Sequence, residues 1–178
     1  FRIVIGAVVD AFSRKVLAIS AWRGAPSALD ARHLLERAIR VGGRPRHLVS
    51  DHGVQFTARL FTGFLRRRRI RHRYGAVGKW QSVAIIDRFF GSLKREFASP
   101  LLVFKSLARV RSELASYARW YNTERPHWSL RGCAPQEVFI GRPARERRNP
   151  KNAARFLLSV DHVDGLRSLP AFRLRRAG

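Results

Sequence analysis

Hydrophobic positions along the chain change period several times, and each change marks an element. Residues 2–9 (RIVIGAVV) are continuous, short and β-branched, and the polar turn Asp10 to Arg14 follows. They predict a buried strand. Residues 15–22 (KVLAISAW) predict a second strand, and the short turn predicts an antiparallel hairpin. The period then lengthens. Ala31, Leu34, Leu35 and Ala38 form a helical stripe, Ser27 stands as its cap with Asp30 three residues on, and Gly42 and Gly43 stop the helix. Residues 46–50 (RHLVS) predict a short central strand ending at Asp51, and Thr57 is the expected cap of a helix reaching Leu65.

The charge run Arg66 to Arg69 separates that helix from a further strand expected over Ile70 to Tyr74. A loop with Gly75 and Gly78 comes next. Val83, Ile86, Phe90, Leu93 and Phe97 then define the apolar face of a helix from Gln81 to Phe97. A second helix, Leu107 to Tyr121, presents Leu107, Val110, Leu114, Tyr117 and Tyr121 on one face. Asn122 to His127 form a turn, and Ala134 to Phe139 a last short helix. Gly141 to Asn152 is rich in Pro, Arg and Asn and reads as a linker. Short apolar runs at Phe156–Val160 and Leu169–Leu174 suit a small hairpin or a loosely attached tail. Residues 1–140 are therefore expected to be one core, and residues 141–178 a basic linker with that tail. No internal repeat is present.

Charge narrows the function. The chain has 178 residues and a net charge of +24, and 46% of its residues are hydrophobic. That fraction supports a buried core, so the chain is not a disordered basic tail. A positive excess of this size calls for a polyanionic partner, and nucleic acid is the usual one. No apolar run approaches the roughly 20 residues of a membrane-spanning helix. Cys133 is the single cysteine, which leaves no intrachain disulfide and no Cys-rich zinc site. With no signal peptide in view, a cytoplasmic protein is the default expectation. The chain opens at Phe1 directly in a β-rich run and holds no Met, as a piece of a longer reading frame would.

Acidic residues are scarce, so each is informative. Asp51 ends a short apolar strand and precedes His-Gly, and sites in α/β sheets gather beyond the carboxyl ends of strands. Asp87 borders the buried face of its helix, with Gly91 and Lys94 along the same side. Two carboxylates in a basic surround suggest a divalent-metal site. Mg²⁺ takes oxygen ligands, commonly one or two carboxylates plus substrate phosphates, and paired ions serve phosphoryl transfer. Arg66 to Arg69 suit DNA phosphates or, equally, a helix C-terminus. Phe89, Phe90, Trp120 and Tyr121 are expected in the core, and the histidines have no metal-ligand spacing.

Several stretches resemble the retroviral-type integrases and bacterial insertion-sequence transposases. Leu48-Val49-Ser50-Asp51-His52-Gly53-Val54-Gln55-Phe56-Thr57 is similar to that family's second-aspartate motif. Gly78-Lys79-Trp80-Gln81 through Asp87-Arg88-Phe89-Phe90-Gly91-Ser92-Leu93-Lys94-Arg95-Glu96 resembles its third-carboxylate helix. Between Asp51 and Asp87 lie 35 residues, the family spacing. Asp10-Ala11-Phe12-Ser13-Arg14 matches a turn between strands. Trp120-Tyr121-Asn122, Arg125-Pro126-His127 and Ala134-Pro135-Gln136-Glu137 match the ending of bacterial transposases. The resemblance implies an α/β, RNase H-like fold, with a mixed five-strand β-sheet flanked by helices. It implies DNA transposition or integration by metal-dependent polynucleotidyl transfer, with Mg²⁺ or Mn²⁺ on Asp51 and Asp87. It also implies DNA contacts at Lys94, Arg95, Arg88, Gln55 and Lys79, with mobile-element ends and target DNA as partners, and homo-oligomers in the intact protein.

Two departures shape the expectation. The chain begins at what resembles the family's second strand, so the first strand and its catalytic Asp are expected to be lacking. The last acid is Asp87 where the family has Glu. Asp has roughly 1.5 Å less reach, and a misplacement of about 1 Å costs about a hundredfold in rate. The expected activity is thus that of an incomplete catalytic-core fragment. The alternatives are a catalytically dead DNA-binding remnant and, less well matched to the Trp-Tyr-Asn segment, an RNase H-type nuclease.

Overall fold

The computed structural model describes residues 3–75, 84–97 and 106–141 with their side chains, and the backbone of residues 156–163 and 166–176. The chain divides into two compact units, Phe1–Asp10 with Val16–Ser112, and Ala11–Lys15 with Glu113–Gly178.

In the first unit, β1 (Ile3–Val9) and β2 (Val16–Arg23) pair antiparallel, from Ile3 opposite Arg23 to Val9 opposite Val16, with a bulge after Val8. The hairpin expected from the apolar runs is present. Gly6 is needed in it: a Cβ there would lie 2.8 Å from Trp22 Cζ3 and 3.3 Å from Leu34 Cδ2. Helix α1 (Ala28–Gly42) starts at the expected cap. The Ser27 hydroxyl accepts from the Asp30 N–H at 3.1 Å, and Asp30 Oδ2 accepts from the Ser27 N–H at 2.9 Å. Its buried residues are Ala31, Leu34, Leu35 and Ala38, the expected stripe.

Strand β3 (His47–Ser50) pairs parallel with β4 (Arg71–Tyr74). Between them lie α2 (Val54–Thr57) and α3 (Arg59–Arg67). Thr57 does not cap the longer helix. It ends α2, where its hydroxyl donates to the Val54 carbonyl at 3.3 Å, and Ala58 begins α3 without a side-chain cap. Phe61, Phe64 and Leu65 of α3 join Ala31, Leu35 and Ile70 in one buried cluster, with Val8, Leu48 and Phe56 at its border. A second cluster of Ala18, Leu34 and Ala38 also has Val8 at its border. Helix α1 thus serves two cores, one over each strand pair. No ladder joins β1 to β3 among the described residues. Among the described residues the strands of the first unit form two hydrogen-bonded pairs.

Helix α4 (Ala84–Glu96) buries Phe89, Ser92 and Leu93, and Phe97 just beyond it. Phe89 rather than Phe90 is the innermost ring, at 1% exposure. Gly78, Lys79 and the expected first turn from Gln81 to Val83 lie outside the described residues.

The second unit takes most of α5 (Leu107–Thr123), a 3-10 turn at Trp128–Leu130, and α6 (Pro135–Phe139). Tyr117, Trp120 and Tyr121 are buried, as expected for core aromatics. The His127 ring meets the edge of Tyr121 at 4.6 Å, and its backbone N–H donates to the Cys133 carbonyl at 3.2 Å. Cys133 is buried, an ordinary small core residue. Lys15 in the turn after β1 sets its ammonium 3.9 Å from the Phe139 ring. Strands β5 (Phe156–Val163) and β6 (Leu166–Arg176) form an antiparallel hairpin, longer than the apolar runs alone suggest. No helix among the described residues is long and apolar enough to cross a membrane.

Candidate functional site

Asp51 sits where β3 ends. Its Oδ1 accepts from the Gly53 N–H at 2.8 Å, an Asx turn that holds the exposed carboxylate at the mouth of the loop. The loop is braced from behind. The Ser50 hydroxyl donates to the Asp51 carbonyl at 2.8 Å and lies 2.9 Å from His72 Nε2. The His72 tautomer sets which of the two, Ser50 Oγ or Nε2, donates in this contact. Nδ1 is buried with no partner among the described residues. Burial also holds the His72 pKa below the usual histidine value, so the ring is neutral.

His72 continues into an aromatic stack. Its ring is 4.3 Å from Tyr74, Tyr74 stacks on His52 at 4.7 Å, and Phe61 meets His72 edge-on at 5.8 Å. Leu48, Ser50, His72 and Tyr74 are the half-buried positions of β3 and β4, one face of the strand pair. The opposite face is open and basic, with His47, Val49, Arg71 and Arg73 exposed. Partial loss of hydration, and then the charges of Arg73, Arg71 and Arg46, depress the His47 pKa. The alternation in Arg71-His72-Arg73-Tyr74 carried the signal for His72 and Tyr74 as loop supports, a role that reading the sequence had not assigned to them.

Gln55 is partly buried and folded back: its amide lies where a Cβ on Gly53 would stand, 2.5 Å from Nε2. Next to it Val54 is 81% exposed, an apolar side chain standing free beside Asp51.

Asp87 occupies the first turn of α4 and is exposed, a placement the helix dipole favours for an acid. Arg88 is exposed beside it, and Lys94 and Arg95 are exposed in the last turn. Asp87, Gly91, Lys94 and Arg95 run along one side of the helix. Arg95 covers the open ground at Gly91, its Nη1 3.5 Å from where a Cβ would be. Lys79 lies outside the described residues. No group of three or more His, Cys, Asp or Glu side chains able to hold a metal ion occurs among the described residues. Asp51 and Asp87 each stand in their own setting, one in an Asx turn after β3 and the other in the first turn of α4.

Helices packed on paired strands make the first unit an α/β core, and likeness to solved structures gives its type as RNase H-like. Solved structures share that fold. The catalytic core domain of BIV integrase aligns with a TM-score of 0.59 at 22% identity, covering 76% of this chain and 84% of that one. The HTLV-2 integrase catalytic core domain in complex with magnesium aligns at 0.54 and 21% identity, covering 74% and 79%. Family models described as integrase core domain match residues 2–79 and residues 68–135. Sequence relatives include a protein of insertion element IS476 from Xanthomonas euvesicatoria, 33% identical over 136 residues, covering 76% of this chain and 39% of the relative. Another belongs to insertion element IS407 of Burkholderia multivorans, 31% identical over 130 residues, with coverage of 73% and 46%. The chain belongs to the integrase core domain family of transposases and integrases. It spans less than half the length of these two insertion-element relatives.

Proposed function

We propose that the chain serves DNA transposition as the core of an insertion-element transposase, and that residues 1–178 alone bind DNA without completing strand transfer. The match to integrase core domains from residue 2 to residue 135 carries the first half of this reading. The net charge of +24 supports a DNA partner. The second half rests on the donor set. Asp51 and Asp87 lie in the stretches that resemble the family's acidic motifs, and no group of three or more His, Cys, Asp or Glu able to hold a metal ion occurs among the described residues. Asp87 also stands where the family has Glu, with roughly 1.5 Å less reach, and a misplacement of about 1 Å costs about a hundredfold in rate.

In this reading Asp51 and Asp87 are the ligands for Mg²⁺ or Mn²⁺, and a bound ion supplies charge neutralisation at a substrate phosphate. Arg88, Lys94 and Arg95 hold DNA phosphates along α4, with Lys79 and Gln55 as further contacts. The Ser50–His72 brace keeps the Asp51 loop in place. The oligomeric habit of the family extends to the intact protein.

The test joins two assays on the same polypeptide. Fluorescence anisotropy with labelled duplex DNA is expected to show binding that weakens steeply with salt. A strand-transfer and nicking assay in Mn²⁺ is expected to give no product. Product that disappears in Asp51→Asn would overturn the inactivity, and absence of binding at low salt would overturn the DNA-binding reading itself.

A further inference from the structure

We propose that the outward face of α3 is a second DNA-binding surface, a groove for the phosphodiester backbone of a duplex, on a different element from both Asp51 and Asp87. The inference rests on the DNA-binding reading above and adds a site to it. Arg59, Thr62, Gly63 and Arg66 line a groove of about 370 Å³. They recur at the helical spacing of one face, opposite the buried Phe61, Phe64 and Leu65. Arg59 and Arg66 stand two turns apart, about 10.5 Å along the axis. With phosphates rising 3.4 Å per step on one strand, that is roughly a three-phosphate span. Gly63 forms the floor between them, and a Cβ there would meet nothing nearer than Arg67 Nη1 at 3.6 Å.

The four-arginine run divides along this face. Arg68 is used internally: its guanidinium lies 5.5 Å from the Phe64 ring, and its carbonyl accepts from Arg44 Nη1 at 3.1 Å. Arg66 and Arg67 remain exposed in the last turn, where the helix dipole welcomes a cation. Arg59 has no such explanation. It is an exposed cation in the first turn, where the dipole opposes it, and the first turn contains no acid. Arg59, Arg66 and Arg67 make no ion pair among the described residues. An external polyanion lying along the face accounts for Arg59 and Arg66 together, whereas helix stability accounts for one of them.

The experiment is the salt dependence of binding to a random-sequence labelled duplex by the whole chain. The pair Arg59→Ala with Arg66→Ala is expected to lower the slope of log K against log salt by about 0.9 per lost phosphate contact, close to two in all. The pair Arg37→Ala with Arg40→Ala, on the exposed side of α1, removes the same charge and is expected to leave the slope unchanged. A second set keeps every arginine. Gly63→Ala is expected to bind as the parent does, while Gly63→Glu, which puts a carboxylate on the groove floor, weakens binding on the order of tenfold. If the α1 and α3 pairs lower the slope equally, bulk charge is responsible and the groove is refuted. Binding by the α3 pair and by Gly63→Glu equal to the parent refutes it too, with the DNA-binding reading intact. A parent chain that binds no duplex refutes both. Should the α3 arginine pair not fold, the two Gly63 variants decide.

Discussion

Phe61→Ala is the sharpest perturbation of the scaffold under the Asp51 loop. Phe61 is 1% exposed and sits in the cluster with Ala31, Leu35, Phe64, Leu65 and Ile70. Truncating a buried Phe to Ala costs about 3–5 kcal/mol in transfer and cavity terms. Two edge-on ring contacts are lost with it, to Phe56 at 5.4 Å and to His72 at 5.8 Å. Such contacts add roughly 0.5–1.5 kcal/mol each beyond burial, which places the cost in the upper half of that range, at about 4–5 kcal/mol. Stability totals only about 5–15 kcal/mol in ordinary domains, so most of the margin goes. The assay is equilibrium urea unfolding followed by far-UV circular dichroism and tryptophan fluorescence, with coincident curves required. At a slope of about 2 kcal/mol per molar, the midpoint is expected to fall by about 2 M. A shift below about 0.5 M at unchanged slope would refute the claim that this cluster anchors the first unit. It would mean that the two strand pairs are held by α1 alone.

Three further predictions follow from local geometry. Gly6→Ala forces a Cβ against Trp22 and Leu34 and is expected to destabilise by about 1–3 kcal/mol, read by thermal melting; a neutral result would mean that the β1–β2 hairpin packs differently on α1. Ser27→Ala removes the capping hydroxyl and is expected to cost about 1 kcal/mol. The Ser27 hydroxyl, and next its backbone N–H, hold the Asp30 pKa below its usual value, so this contribution is full above the unfolded carboxylate pKa and is lost as pH falls through the folded one. Acid titrations of the parent and of Ser27→Ala should therefore draw closer at low pH, the remaining gap being the bond from the Asp30 N–H to the Ser27 hydroxyl. His72 is depressed by burial, so stability is full above the unfolded histidine value of about 6.5 and declines as pH falls below it. His72→Gln should flatten the curve between pH 7 and the folded pKa, and an equally steep decline would assign the proton to another group.

What local chemistry dictates was legible in the linear chain. The β1–β2 hairpin follows from two β-branched runs and a short polar turn. Helix α1 follows from a four-residue stripe and a Ser27–Asp30 cap, since both a helical period and a capping box are written within a few residues. The family motifs around Asp51 and Asp87 were legible for the same reason, being short and of fixed spacing. Tertiary structure decided whatever depends on neighbours distant in sequence. Thr57 had the composition of a cap, yet the break at Ala58 turned it into the end of a separate short helix. Phe89 and Phe90 are adjacent and chemically equal, and packing chose Phe89 for the interior. The identical arginines 66 to 69 took different roles because Phe64 and Arg44 engage Arg68, while Gly63 opens a groove beside Arg66. The bracing of Asp51 by Ser50 and His72 needed the parallel pairing of β3 with β4, a register that no local period encodes. The division of the strands into two pairs is likewise a matter of backbone hydrogen bonding between distant segments. Periodicity says which face of a strand is buried, and only the assembled chain says which edge is paired.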